Sequence, residues 1–372
     1  MKITCNREKF TAKFNLAAAF VAERELKSVL QNVKMDVKAD CVVFSATDTE
    51  ISIRVVLKDV EIGSEGAAII PSQFMKNILR ASEAEDIELE LNGDILRIRV
   101  GKASHEIPIL PADDFPEISP FTGEAYHEVI GSDLQKSISR TTFAIDSEKN
   151  KYVLSGVLFE LTDGRIDTVS TDGRRLAHQQ VKAVSHGGHS AEGSAIVPLK
   201  ALTALEQAID EAGAETTIKI AAEGGKVTFA TAHDEITITS QTVDGRFPAW
   251  RKIIPDKTDR VRADVPLRDF HAAVQHLKDM TTKESPGLLL NFKPGLLEIS
   301  AGGNTDGTST RTIPIAYDQK EITTKLDPNY LVDFLRCISG ETNLSIYLKE
   351  NGSVLFETQQ DSTYAYVLMP LA

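Results

Sequence analysis

The stretch Ser170-Thr171-Asp172-Gly173-Arg174-Arg175-Leu176-Ala177 gathers residue types that do chemistry. A Thr-Asp-Gly turn followed by two arginines fits three things: an anion site, a fragment of a catalytic centre, or an ordinary hairpin with solvated charges. Few other residues compete with it. The eight histidines are His105, His127, His178, His186, His189, His233, His271 and His276. None sits in a His-Glu-x-x-His pair, and the chain has no Gly-x-Ser-x-Gly elbow, no Gly-x-x-x-x-Gly-Lys loop and no Gly-x-Gly-x-x-Gly. His186-Gly187-Gly188-His189 reads as a flexible loop whose two imidazoles want further ligands, so no metal is expected there. Cys5, Cys41 and Cys337 are too dispersed for a disulfide framework, which points to a reducing cytoplasm. Runs such as Glu83-Ala84-Glu85-Asp86 read as solvated acid. No catalytic residue and no cofactor is expected. An enzyme with carboxylates brought together only in three dimensions stays open as the alternative.

The elements that position this turn are written three times. Apolar residues, a proline and an amphipathic helix follow one another at Pro71, Pro198 and Pro328, roughly 130 residues apart. Proline suits the first helical turn, where its missing N–H costs nothing. After each helix comes an alternating hairpin pattern, at 87–100, 217–230 and 344–357. Before each proline lies a strand pair joined at Thr-Asp: 45–52, 170–177 and 304–311. A further helix opens each unit, near 7–22, 131–144 and 266–280. The repeat predicts an α+β chain of three similar domains, at 1–122, 123–253 and 254–372. Copies one and three keep Thr-Asp, so the turn is architecture. Only copy two adds Arg174-Arg175-Leu176.

The net charge is −13, with 42% hydrophobic and 26% charged residues. An acidic total argues against nucleic acid but does not say where the charges lie. The helices carry cations. At 71–82, Phe74 and Ile78 are expected to face inward, with Lys76 and Arg80 opposite. At 131–144, Leu134 and Ile138 face inward, with Lys136 and Arg140 opposite. Lys13, Lys200, Arg268, Lys278 and Arg336 belong to the remaining helices. If sheets back all six helices, the result is a ring or arc with a basic lining and an acidic outside. Such a lining neutralises phosphates without reading bases. No apolar run approaches the ~20 residues that span a membrane. The N-terminus, Met1-Lys2-Ile3-Thr4-Cys5, does not read as a signal peptide.

Several stretches in register resemble one family, the bacterial sliding clamp or beta subunit of DNA polymerase III. They are Leu154–Glu160, Ser170–Ala177, Val243-Asp244-Gly245-Arg246-Phe247-Pro248, Leu110–Pro116 and the terminal Tyr366–Leu371. The resemblance covers the whole chain. It implies clamp domains whose helices line a central hole with antiparallel sheets outside, two chains joining head to tail in a six-domain ring around duplex DNA. It implies a non-catalytic processivity subunit in the cytoplasm, on the nucleoid. Its partners would be double-stranded DNA of any sequence, a second copy, the polymerase catalytic subunit, the clamp loader and repair factors with clamp-binding peptides, and no membrane. A paralogous clamp restricted to repair or stress replication is a second reading of the same fold. The resemblance places a partner-peptide pocket at Leu154, Thr171, Gly173, Arg174, Arg175, Leu176, Pro248, Lys252, Ile253, Val367, Leu368, Met369, Pro370 and Leu371. It adds DNA contacts at Arg24 and Tyr152, and a dimer contact joining Ile107 to Met280, beside Lys76. Arg174 replaces a frequent histidine, Lys252 an arginine, Glu148 a glutamine and Asp279 an apolar residue. Ala372 ends the chain where a basic residue often follows. The pocket rim is therefore expected to prefer a somewhat different peptide.

Overall fold

The computed structural model describes residues 1–22, 28–146, 152–282, 285–303 and 307–371. Six α-helices are present among them: α1 (Arg7–Ala17), α2 (Ser72–Ala81), α3 (Gly131–Ser139), α4 (Leu199–Ala212), α5 (Leu267–Lys278) and α6 (Pro328–Cys337). Each follows on a strand, directly for α1 to α5 and after Asp327 for α6, and antiparallel strands fill the intervals, so the repeat order read from the sequence is the observed order. The helix starts differ in detail. Pro71 and Pro198 stand at the caps of α2 and α4, and only Pro328 is the first helical residue, behind Asp327, whose side chain accepts from the Asn329 N–H. α1 starts where Asn6 accepts from the N–H groups of Glu8 and Lys9. α3 stops at Ser139, short of the expected 144, and continues as a 3-10 turn at Thr142–Ala144.

The chain divides into two compact units. The first comprises Met1–Asp133, Ala183–Ser190 and Val197–Thr242; the second comprises Leu134–Lys182, Ala191–Ile196 and Val243–Ala372. The second repeat is therefore shared between them. In the first unit a five-stranded sheet runs Glu61–Ser64, Lys2–Asn6, Asp86–Asn92, Ile95–Val100, Ala103–Pro108. A nine-stranded sheet there joins the first two repeats where Ile51–Leu57 pairs with Ile236–Gln241. In the second unit an eight-stranded sheet joins repeats two and three where Arg175–Lys182 pairs with Tyr364–Leu368. A four-stranded sheet runs Gly307–Pro314, Leu296–Gly303, Leu288–Lys293, Ile322–Leu326. Pairing across repeats covers strand edges that would otherwise be open templates.

Helix packing corrects one expectation. Met75, Ile78 and Leu79 are the buried residues of α2 together with Ser72, and Phe74 is 47% exposed. The buried stripe 72, 75, 78, 79 obeys the helical period and includes Ile78 as expected, while Phe74 lies outside it. In α3, Leu134 and Ile138 are fully buried, as expected. In α1, Phe10 and Phe14 meet the edge of Phe44, with ring centroids 5.2 and 5.8 Å away.

Candidate functional site

The Thr-Asp turns of copies one and two are the same device. Asp172 Oδ1 accepts from the N–H groups of Arg174 and Arg175, at 2.9 and 3.0 Å. Asp48 Oδ1 accepts from Glu50 and Ile51, at 3.0 and 2.8 Å. Thr171 and Thr47 each donate a hydroxyl to the backbone four residues on, at 2.6 and 2.8 Å. The turn needs a positive φ, which Gly173 takes at 89° and Thr49 takes at 79°. The third copy's Asn304-Thr305-Asp306 lies outside the described residues.

Behind the second turn the two arginines part. Arg174 is exposed, and its carbonyl accepts from the Met369 N–H at 2.9 Å. Arg175 is largely enclosed. Its guanidinium bonds Asp172 at 2.9 Å, Asp333 of α6 at 2.8 Å and the Phe143 carbonyl at 2.6 Å. It also lies 4.3 Å from the Tyr330 ring centroid. Each of its three guanidinium nitrogens is bonded within the chain, so this residue of the expected pocket brackets the turn to α6.

The strand Tyr364–Leu368 is buried on both faces. Tyr364, Tyr366 and Leu368 enter the core of α5 and α6, where Tyr366 stacks on Phe334 at 4.6 Å. Ala365 and Val367 face the other way, into a cluster with Leu154, Leu176, Phe247 and Trp250. Of the expected pocket, Leu154, Leu176 and Val367 thus form a joint apolar floor, with Thr171 in the turn beside it. Arg174, Pro248, Lys252, Ile253 and Met369 are exposed around that part of the chain, Ile253 at 40% and Met369 at 50%. Leu368 points to the opposite core because alternate residues of a strand face opposite ways. Leu371 is held elsewhere: its N–H donates to the Lys325 carbonyl at 2.8 Å and its side chain packs over Gly287. Pro370 is half-buried between them. The sequence reading missed Trp250, whose indole N–H donates to Glu160 at 3.1 Å under an Arg251 guanidinium 4.2 Å from the ring.

The helix cations sort into two groups. Arg140 is 3% exposed, bonded to Gln179, Asp361 and Glu341 and seated over the Tyr364 ring, so it offers no charge to a ligand. Lys136 bonds Asp361 at 2.7 Å, Lys13 bonds Glu211 at 3.0 Å and Lys200 bonds Asp48. Burial pushes the Asp361 carboxyl up, but the Lys136 and Thr363 hydrogen bonds outweigh it and hold it down at about 2. Lys76, Arg80, Arg268 and Arg336 make no ion pair among the described residues; Arg80, Arg268 and Arg336 are exposed. Lys76 donates to the Ala18 carbonyl at 3.1 Å, and burial pulls its ammonium pKa down. With Arg7 and Arg80 it lines a cleft of about 530 Å3 at α1 and α2, whose other lining residues are Thr11, Asn15, Gln73, Asn77, Leu79 and Ser82. No carboxylate lines it. A counterpart of about 470 Å3 at α5 and α6 holds Arg268, His271 and Gln275, with Glu341 already bonded to Arg140.

Of the expected dimer contacts, Met280 is 45% exposed, and Ile107 is 3% exposed because it faces its own sheet. The other residues of its strand, Ala103–Pro108, are exposed or half-buried along a sheet edge. Arg24, Glu148 and Ala372 lie outside the described residues, as does the side chain of Tyr152. The His186–His189 segment is bonded, contrary to the loop expectation. Val184–His186 is a strand, His189 Nδ1 lies 2.8 Å from His127 Nδ1, and His189 Nε2 accepts from Ala222 N–H at 3.0 Å.

Comparison with known proteins follows the same lines. Residues 1–119 match the family model of the DNA polymerase III beta subunit N-terminal domain, and residues 128–249 that of its central domain. The beta sliding clamp of Pseudomonas aeruginosa is 27% identical over 376 residues, and that of Proteus mirabilis 27% over 375, each comparison spanning both chains in full. The crystal structure of the Pseudomonas aeruginosa beta subunit superposes with a TM-score of 0.89 at 24% identity over the whole of both chains. That of the Thermotoga maritima beta subunit gives 0.88 at 22%, over all of this chain and 99% of the other. The repeated α+β architecture and these matches together place the chain in the DNA polymerase III beta subunit family, the non-catalytic sliding clamps of bacterial replication.

Proposed function

We propose that two copies of this chain close head to tail around duplex DNA and hold the replicative polymerase, and other factors with clamp-binding peptides, on the template. The observation that carries the DNA part is the cleft of Arg7, Lys76 and Arg80, which has no carboxylate in its lining, and in which Arg7 pairs with Glu8 while Lys76 and Arg80 make no ion pair among the described residues, on a chain of net charge −13. Cations on helix faces meet phosphates without reading bases, which suits a ring that must slide. The acidic remainder discourages DNA from binding elsewhere. Dimer closure would use sheet edges, with Ala103–Pro108 of one copy and the four-stranded sheet of the other, near Met280, as the candidates. The domains would divide near 122 and 253.

The peptide site is the apolar floor of Leu154, Leu176 and Val367 with its rim of Arg174, Pro248, Lys252, Ile253 and Met369. A methionine at the rim adapts to several partners. Two leucine anchors at ~1.5–3 kcal/mol each contribute ~3–6 kcal/mol, so micromolar binding at ~−8 kcal/mol also draws on backbone and rim contacts, and a strength of that order lets partners exchange. The place of work is the cytoplasm, on the nucleoid. Among the described residues no helix is long and apolar enough to cross a membrane.

The test is topological. Clamp placed on closed circular DNA by its loader should stay bound at high salt and leave when the circle is linearised. Equal loss from both forms would reject encirclement. The solution mass should be twice the 40.7 kDa of one chain.

A further inference from the structure

A cleft of about 850 Å3 lies within the first compact unit, where repeats one and two join, and it contains no residue of the α-helices or of the apolar floor. Its own floor is one row of directly paired residues across five strands: Thr47, Ser52, Thr239, Thr228 and Ala221. Segment 116–123 lines it too, as do Glu223, Gly224 and Lys226 at a hairpin tip. The second unit repeats this construction with the row Thr171, Leu176, Val367, Leu355 and Tyr347. Both rows start at a Thr-Asp turn. Both end in the same backbone bond, from the Gln241 N–H to the Glu50 carbonyl and from the Met369 N–H to the Arg174 carbonyl, at 2.9 Å each. The connecting segment carries Phe115-Pro116 in one unit and Phe247-Pro248 in the other.

The chemistry of the two rows is inverted. Where the second unit has Leu176, Val367 and Leu355, all buried, the first has Ser52, Thr239 and Thr228, all half-buried. Ser52 donates to the Thr239 carbonyl at 3.4 Å, and the Thr228 and Thr239 hydroxyls share one bond at 3.2 Å. A hydroxyl has one proton and two lone pairs, so the row keeps acceptor capacity to spare. The rim is inverted as well. Glu50 holds the place in its turn that Arg174 holds in the other. Glu50, Glu117 and Glu223 are exposed and make no ion pair among the described residues, against the single exposed cation of the lining, Lys226.

Acceptors on the floor and carboxylates at the rim select the same kind of ligand, a cation rich in N–H donors. A leucine would strip water from the hydroxyls and return no hydrogen bond. A phosphate would be repelled by the rim carboxylates. Arginine carries N–H donors only and a permanent charge. Half-buried Ile118 and Phe121 offer its stem an apolar side.

We propose that this cleft is a separate docking surface, which takes an extended, polar, arginine-bearing segment of a partner protein. The inference goes beyond the peptide site and does not rest on it, because the two rows share no residue.

Three synthetic peptides test it by titration calorimetry on the full-length protein: Gly-Ser-Arg-Thr-Arg-Ser-Gly, the same peptide with glutamate for both arginines, and a two-anchor peptide with two leucines. Two variants carry equal changes of charge. Glu117→Lys with Glu223→Lys alters the cleft, and Glu83→Lys with Glu85→Lys alters exposed acid elsewhere. The arginine peptide should bind one per chain, and the glutamate peptide at least about tenfold more weakly. The cleft variant should lose about tenfold for the arginine peptide, since each of two solvent-touching ion pairs contributes up to about fivefold. The control variant should lose under about twofold, because distant exposed charges are screened. Neither should change the two-anchor peptide. Ser52→Ala with Thr239→Val, which removes two floor hydroxyls, should weaken the arginine peptide about fivefold. No binding of the arginine peptide at millimolar concentration overturns the proposal. So do equal affinities for arginine and glutamate peptides, equal losses in the cleft and control variants, or displacement of the arginine peptide by the two-anchor peptide. Binding of the arginine peptide that the cleft variant alone weakens, with no binding of the two-anchor peptide, supports the cleft and rejects the apolar floor.

Discussion

Replacing Arg175 by alanine should destabilise the protein and leave peptide binding little changed, although this arginine belongs to the motif by which the docking site is recognised. The side chain is 9% exposed and makes three polar contacts, to Asp172, Asp333 and the Phe143 carbonyl. Removing one partner of a buried ion pair typically costs 3–5 kcal/mol. Here Asp333 is 36% exposed and regains water, so its share shrinks. Asp172 keeps its two backbone N–H donors. The enclosed Phe143 carbonyl loses a donor at ~1–3 kcal/mol. A net loss of about 3 kcal/mol is expected, which lowers a thermal midpoint by roughly 6–12 °C in a unit of this size. Arg175→Lys should fall between, because an ammonium holds one or two of the three acceptors but not the planar fork. Scanning calorimetry reads the stability and titration calorimetry reads the peptide affinity. Arg174→Ala is the counterpart, with an unchanged midpoint and weaker binding of an acidic or carbonyl-rich peptide. An unchanged midpoint for Arg175→Ala, with peptide affinity down by more than tenfold, would show that Arg175 serves the ligand and that its bracket role is wrong.

Three further outcomes follow from the same geometry. Lys76→Glu with Arg80→Glu should weaken DNA binding and flatten its dependence on log salt by about 2, since each lost phosphate contact removes ~0.9, while peptide affinity stays the same. Met369→Ala removes a half-exposed apolar rim and should cost the two-anchor peptide about fivefold, with the dimer mass unchanged in analytical ultracentrifugation. The third concerns acid. His189 Nε2 accepts from Ala222, so the proton sits on Nδ1 and is donated to His127. Burial, then the His127 imidazole, hold His189 below its ordinary value; Ala222 and Glu223 of the strand Thr217–Glu223 act the other way and are outweighed, and His186 Nε2 lies 3.2 Å from Glu128. A base with a depressed folded pKa gives stability that is full above its unfolded value near 6.5 and is lost as pH falls towards the folded value. The protection of the amides at Val184–His189 and Ala222, with the intrinsic pH dependence of exchange divided out, should therefore fall below about pH 6.5, and constant protection between pH 7.5 and 5 would contradict the tautomer assignment.

The parts of this molecule legible in its sequence are those set by local rules. Helix starts, hairpin alternation and the Thr-Asp turn each depend on a few adjacent residues, and the repeat allowed one copy to check another. Thr47-Asp48 and Thr171-Asp172 make the same bonds in the structure as their shared types demanded. On α2 the sequence offers two apolar i,i+4 pairs, Phe74 with Ile78 and Met75 with Leu79, and spacing alone does not say that Phe74 is the one left outside. What the sequence concealed is pairing at long range. On α3 no carboxylate lies between Lys136 and Arg140, and Asp133 stands one turn before them. Asp361 and Glu341, which bind Lys136 and Arg140, are more than two hundred residues away.

The fate of the two adjacent arginines shows why types and spacing alone left three chemistries open at this turn. In an extended strand, consecutive side chains leave on opposite faces. Arg175 begins the strand Arg175–Lys182 and is turned to the side where α6 supplies Asp333 and Tyr330, and there each guanidinium nitrogen has an acceptor. Arg174 is still in the turn, one residue before the pairing starts, with its carbonyl bonded to Met369 and its side chain outside. The same carbonyl bond sets Met369 beside Arg174, so the exposed arginine and the exposed methionine form one rim by backbone pairing. A change that moves the strand Tyr364–Leu368 by one residue would reverse which of its side chains reach the Leu154–Leu176 floor, replacing Val367 by Leu368 or Tyr366. The proposed docking surface is thus a consequence of register between a strand from the second repeat and the last strand of the third, and the two adjacent arginines stand to it unequally: Arg175 ties the turn to α6, and the Arg174 side chain stays exposed at the rim.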